Sequence, residues 1–290
     1  EEPKLFFLNN PRPLFIDEVQ KECGILEEIK QIVDDSDVRS DFILSGSQKL
    51  ELMKGMSESL AGRISITEIA GLSLREINGV SFNRHFVPTD EYLREREQNF
   101  APYSDIWEVI HKGSYPELYD IDRDWQDFYS SYVATYLERD INELIAADSL
   151  TFTKFMTSVA ARTGAMLNYA NIATEVGVSE PTVKKWIAVL ERTGIVYILQ
   201  PYSASVLNRA IKTPKIYFRD TGLACYLTRW LTADALKNSA VAGNMFETFV
   251  VAEILKSYSN EGMDHRFSIF YYRGKDRHIS GEYEIDLIIQ

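Results

Sequence analysis

Thiols and imidazoles are scarce in this chain. Its two cysteines, Cys23 and Cys225, stand far apart, and its four histidines are scattered. Neither a disulfide framework nor a structural zinc site fits that spacing, and free thiols suit a reducing compartment. No apolar run approaches the roughly 18 residues of a membrane helix. The opening Glu1-Glu2-Pro3-Lys4 has neither the basic nor the apolar region of a signal peptide. These absences give a cytoplasmic protein with no membrane partner as the expectation. Basic charge is short as well: 31 Lys and Arg face 43 Asp and Glu, for a net charge of −12. That balance disfavours nonspecific nucleic-acid binding by the chain as a whole. What is there is ordinary for a globular protein, 45% hydrophobic and 26% charged. A length of 290 residues leads us to expect two or three domains.

The most pointed stretch is Pro13-Leu14-Phe15-Ile16-Asp17-Glu18. A short apolar run bounded by Pro and acids reads as a buried parallel strand, with the acids at its C-terminal end. Open α/β sheets put their ligand crevice at that end. Nucleotide-hydrolysing P-loop proteins need two acids there, one for Mg²⁺ and one for the attacking water. Asp17 and Glu18 fit those roles in that order. Leu26, Ile29 and Val33 then recur at helical spacing, and Phe42-Ile43-Leu44 forms a second apolar run ending in Ser45-Gly46-Ser47-Gln48. Strand, helix and strand make a βαβ unit whose right-handed crossover sets the strands side by side. The small polar cluster either reads a phosphate there or caps a following helix.

The strings PLFIDEVQ (Pro13 to Gln20), FILSGSQ (Phe42 to Gln48), SESLAGR (Ser57 to Arg63) and GLSLREI (Gly71 to Ile77) resemble, in that order, a group of prokaryotic AAA-superfamily ATPases. These carry a P-loop core, a winged-helix segment and a C-terminal domain of unassigned function. The resemblance implies ATP and Mg²⁺ as cofactors, with Asp17 as the Walker B metal ligand and Glu18 beside it. It also implies a sensor at Ser45 or Ser47, and at Arg63 an arginine that contacts phosphate in cis or from a neighbouring subunit of an oligomer. The family's phosphate-cradling Gly-x4-Gly-Lys-Ser/Thr loop is missing from the 290 residues. We therefore expect residue 1 to lie downstream of that loop in a longer product, and this chain not to hydrolyse ATP by itself.

Beyond the core, Ile77 to Asn99 is polar, broken by Pro88 and rich in Glu and Arg, and reads as a linker or exposed excursion. Trp125 to Leu144 carries a helical stripe of Phe128, Tyr132, Tyr136 and Leu144, which suits packing. Thr151 to Tyr202 reads as a winged helix-turn-helix: a helix from Tyr169, a turn at Gly177, a helix N-capped by Ser179 with Pro181 in its first turn, and a strand over Ile195 to Gln200. Ser179, Thr182, Lys184 and Lys185 are its candidate nucleic-acid contacts. From Ala160 to Lys215 there are seven Lys and Arg against three Glu and no Asp, a local +4. Docking of protein is the alternative use of such a module.

The C-terminal part reads as mixed α/β, with strands at Lys215 to Phe218, Phe270 to Arg273 and Tyr283 to Ile289 and a helix over Gly243 to Tyr258. Glu247 on the helix and Asp286 on the last strand resemble the opening of a restriction-endonuclease-like metal site, which would hold Mg²⁺ together with a following Glu-x-Lys. The expected fold is thus α/β: a partial P-loop NTPase core over 1–77, a linker and helical region over 78–150, a winged helix-turn-helix over 151–202, and a truncated restriction-endonuclease-like α/β domain over 203–290. Three functions compete: an ATPase coupling nucleotide state to DNA or protein, a winged-helix DNA-binding regulator, and a metal-dependent nuclease.

Overall fold

A computed structural model describes residues 3–22, 24–36, 40–46, 60–100, 105–141, 145–203, 213–275 and 282–290. Contacts divide the chain into two compact units, Glu1–Ile66 and Thr67–Gln290.

The first unit begins with α1 (Pro3–Asn9), followed by β1 (Leu14–Ile16), α2 (Gly24–Asp34) and β2 (Phe42–Leu44). The apolar spacing read in the sequence becomes one buried face of α2, with Ile25, Leu26 and Ile29 inside. Val19 and Leu60 complete that core, with Ile16, Phe42 and Leu44 packed against it. The two strands pair in parallel, Leu14 with Phe42, Phe15 with Ile43 and Ile16 with Leu44. They were expected to be buried on both faces. Only one face is covered, and Phe15 and Ile43 on the other are more than half exposed.

The second unit runs through α3 (Leu74–Ile77), α4 (Asp90–Gln98), α5 (Ile106–Lys112), α6 (Glu117–Asp120) and α7 (Trp125–Tyr132), which continues as π-helix over Val133–Ile141. Then come α8 (Ser149–Ala160), β3 (Ala165–Met166), α9 (Tyr169–Val176), α10 (Glu180–Arg192), β4 (Val196–Leu199) and β5 (Lys215–Phe218). The last part holds α11 (Thr221–Leu227), α12 (Ala233–Lys237), α13 (Ala242–Glu261), β6 (Ile269–Lys275) and β7 (Glu282–Ile289). Strand β5 lies between β3 and β4 in an antiparallel sheet, and β6 pairs antiparallel with β7. One face of α13 buries Val251, Ile254, Leu255 and Tyr258 against Leu199, Tyr217, Ile269 and Tyr271. The two sheets thus share α13 as their common support.

Two expectations need correction here. The segment around Ile77 to Asn99 is not an exposed excursion. Its few apolar side chains do the packing: Phe82 and Phe86 meet the buried ring of Tyr92 edge-on at 5.4 Å each. Phe86 N also donates to Ser257 Oγ of α13 at 3.0 Å. Charged residues hid this in the sequence, because a short segment needs only three well-placed rings to dock. The second correction concerns β5, expected in a separate C-terminal domain. It is the central strand of the sheet it forms with β3 and β4, which lie on either side of α9 and α10 in the chain, since its all-buried pattern needs a neighbour on each side.

Candidate functional site

Parallel register alone brings the N-terminal candidates together. With Ile16 opposite Leu44, the next residues, Asp17 and Ser45, leave their strands side by side. Ser45 N donates to Ile16 O at 2.9 Å, and Val19 N donates to Ser45 O at 3.1 Å, so the two strand ends are stitched together. Ser45 Oγ donates to Asp17 Oδ1, which also accepts Glu18 N at 3.0 Å. Glu18 sits at φ +52, a left-handed conformation unusual for a residue with a side chain. Such local strain concentrates where a side chain must be aimed against the run of its strand. Glu18 lies 3.8 Å from Lys21 Nζ, one turn further along. The Asp17 carboxylate and the Ser45 hydroxyl therefore meet at one edge, both hard oxygen groups of the type Mg²⁺ takes, with Glu18 next in the chain.

Arg63 is elsewhere engaged. Its guanidinium grips Asp34 at the end of α2 through Nε and, at 3.0 Å, Nη2, while Nη1 donates to Ala61 O. The pair raises the arginine pKa and lowers that of Asp34 by direct hydrogen bonding. Ser47 and Cys23 lie outside the described residues.

Two helices, α9 and α10, form where the sequence spacing places them. Gly177 ends α9 at φ +84, Ser179 caps α10 by accepting Thr182 N at 3.3 Å, and Val183, Trp186, Ile187 and Leu190 face inward. The proposed contacts are less available than expected. The Ser179 and Thr182 hydroxyls bond each other at 2.7 Å, and Lys184 pairs with Glu180 at 2.7 Å and sits over the Tyr169 ring. Arg162 is likewise held by Glu175, and Lys215 is buried among acids. Only Lys185 of the four named residues presents an exposed cation without an ion pair on the described surface. Arg209 and Lys212, which also count toward the local +4, lie outside the described residues.

Glu247 and Asp286 do come together, around an ammonium. Lys215 Nζ lies 2.9 Å from Glu247 Oε1, 3.0 Å from Asp286 Oδ1 and 2.5 Å from Glu284. Tyr217 Oη donates to the same Glu247 oxygen at 2.6 Å. Burial works against the charge on Lys215, but hydrogen bonds to Glu284, Glu247 and Asp286 more than reverse it, so its pKa stands above the ordinary lysine value. This corrects the half-site reading: a lysine from β5 fills the space between the two acids. Lys215, Tyr217 and Glu284 were missed, although period-two alternation puts Lys215 and Tyr217 on one face of their strand, and Glu284 with Asp286 on one face of theirs. Among the described residues, no three His, Cys, Asp or Glu are grouped to hold a metal ion.

A second missed cluster centres on Asp220. This buried carboxylate accepts Ser114 N and Oγ at 2.7 and 2.8 Å on one oxygen, and Tyr129 Oη and Leu223 N at 2.7 Å each on the other. It caps α11 and ties the 113–116 turn to it. Gly113 has φ +87, and a Cβ there would meet Tyr129 Oη and lie 2.8 Å from Asp220.

Residues 2–78 match a family model described as an AAA domain. That span holds Asp17, Glu18, Ser45 and Arg63, and the match makes this stretch similar to AAA-type ATPase domains. Residues 103–234 match a model described as a domain of unknown function (DUF8612), which encloses the whole Ser114–Tyr129–Asp220 network. Uncharacterized proteins of Mycobacterium bovis and Mycobacterium tuberculosis are each 28% identical to it over 247 residues, 82% of this chain and 49% of theirs. The chain spans about half the length of these curated relatives. No solved structure matches it. Among the described residues, no helix is long and apolar enough to cross a membrane.

Proposed function

We propose that the first unit supplies the metal-binding and water-activating edge of an ATP-hydrolysing core. The observation that carries this reading is the Ser45 hydroxyl donating to Asp17 across the β1–β2 ends, inside a stretch similar to AAA domains. Asp17, with Ser45 beside it, would hold Mg²⁺ through its second carboxylate oxygen. Bound there, the ion neutralises charge developing on the nucleotide's phosphates. Glu18 is turned out of the strand by its left-handed backbone, where it orients water and takes its proton. Ser45 fixes the Asp17 rotamer, and can report a change at the phosphate back through β2. The backbone cradle for the phosphates would come from sequence other than these 290 residues. Arg63, bound to Asp34, needs that pair opened before it reaches phosphate.

In the full-length gene product, Glu18→Gln should keep Mg-ATP binding while lowering turnover by about two to four orders of magnitude. Equal turnover in the variant would remove Glu18 from the mechanism.

A second reading concerns α8 through β5. A helix, a short strand, two helices and two strands, with β5 between β3 and β4, support a winged helix. The internal pairing of Arg162, Lys184 and Lys215 favours protein docking over duplex DNA as its use. Salt-dependent duplex binding weakened by Lys185→Glu would favour DNA instead.

A further inference from the structure

Helices α3, α4 and α13 line an open pocket of about 590 Å³ in the second unit. Its lining mixes apolar side chains, among them Phe82, Phe86, Leu93, Phe249, Val250 and Ile254, with polar and charged ones. That is the size and lining of a small-molecule pocket, which needs a few fixed polar groups to orient its guest. Here those groups are two guanidinium ions. Arg75 and Arg96 both line the pocket and both stand over the Phe82 ring, at 5.0 and 5.7 Å from its centroid.

Neither arginine has a carboxylate within salt-bridge distance among the described residues. Arg75 is held by neutral acceptors: Nη1 donates to Phe82 O at 3.0 Å and Arg84 O at 2.7 Å, and Nη2 to the Tyr92 hydroxyl. Arg96 Nη1 donates to Asn99 O at the end of α4, which leaves Nε and Nη2 without a described acceptor. The two acids that share the lining are already engaged. Glu76 accepts Ser73 N, Ser73 Oγ and Asn260 in a capping box, and Glu253 accepts Leu74 N and pairs with Lys256. Burial, and then the charge of Arg75, hold the Arg96 pKa below its ordinary value. The lining as a whole is charge-balanced, two arginines against two glutamates, but the acids are tied to α3 and α13 while Arg96 keeps N–H groups that no described acceptor takes.

We propose that this pocket binds an amphipathic anion: an aromatic or aliphatic body seated on Phe82, Tyr92 and Phe249, its carboxylate, sulfonate or phosphate accepting from Arg96. The proposal stands apart from the nucleotide reading, since it draws on no residue of the first unit. Arg75 is built into the wall by three hydrogen bonds, so Arg96, on the outer helix, is the residue to change.

The test uses the 290-residue chain and two fluorescent probes of similar shape, anilinonaphthalene sulfonate and the neutral N-phenylnaphthylamine, with decanoate as competitor. The wild-type protein should bind both probes, and decanoate should displace both. Arg96→Gln should weaken the sulfonate about tenfold, the worth of one charge-assisted hydrogen bond, and the neutral probe less than twofold. Leu93→Asp, on a half-exposed wall position, should weaken both. Thermal melting of each variant shows that it is folded. Sulfonate binding unchanged in Arg96→Gln, equal loss of both probes in that variant, or binding untouched by Leu93→Asp would each overturn the proposal.

Discussion

Asp220 shows how one side chain organises several turns. Four donors converge on its two oxygens from three separate segments, all of them in a buried region where unpaired polar groups are costly. Burial, then the charge of Asp220, drives the Tyr129 hydroxyl pKa well above that of a free tyrosine, so it stays a donor at any physiological pH. Asp220→Asn would turn an amide N–H against these donors. We expect it to cost about 3 kcal/mol in denaturant unfolding, and Ser114→Ala about 1 kcal/mol. Equal, small losses would mean that the network is ornamental. None of this was legible in the sequence. Arg219-Asp220-Thr221 looked like a strand end, and its partners lie about a hundred positions upstream. Asp17 and Ser45 were legible, because parallel register over three residues is enough to fix their meeting.

At the scale of elements, α10 followed its sequence signals closely: the Ser179 cap, the Pro in the first turn and a one-sided apolar stripe are local features with local outcomes. Strand β5 did not, because which sheet a strand joins is decided by non-local pairing. Its lysine then fixes the C-terminal hairpin. Lys215 is almost fully buried, and it reaches acids on both α13 and β7. Lys215→Met should lower stability by about 2 kcal/mol, below the usual cost of breaking a buried pair because the acids keep some water. Asp286→Asn, at a largely exposed position, should cost less than about 1 kcal/mol. Reversed magnitudes would show that the hairpin is held by β6 packing alone. The packed 77–99 segment teaches the same lesson from the other side. Its charge density suggested a linker, while Phe82, Phe86 and Tyr92 decided its fate.

For the molecule as a whole, pH sensitivity should enter through buried histidine. His111 is buried in α5, stacked on Trp125 at 4.4 Å, and its Nε2 faces Trp230 O at 2.8 Å. Burial holds its pKa below the ordinary value, and His265 shifts the same way for the same first reason. The unfolded chain takes up these protons near pH 6.5 and the folded chain does not, so the unfolded state binds more protons as pH falls. Stability should therefore be level above about pH 7.5 and drop by about 1 kcal/mol toward pH 5.5, above the range where carboxylates titrate. His111→Asn should flatten that slope in denaturant titrations. A slope unchanged in the variant would assign the effect elsewhere.

We propose that the carboxyl ends of β1 and β2 form the metal edge of a nucleotide site, and the decisive experiment is calorimetric titration of ATP into the full-length gene product with and without Mg²⁺. Binding should depend on Mg²⁺, and Asp17→Asn should weaken it by about tenfold or more. Binding that is indifferent to both the ion and Asp17 would contradict the proposal.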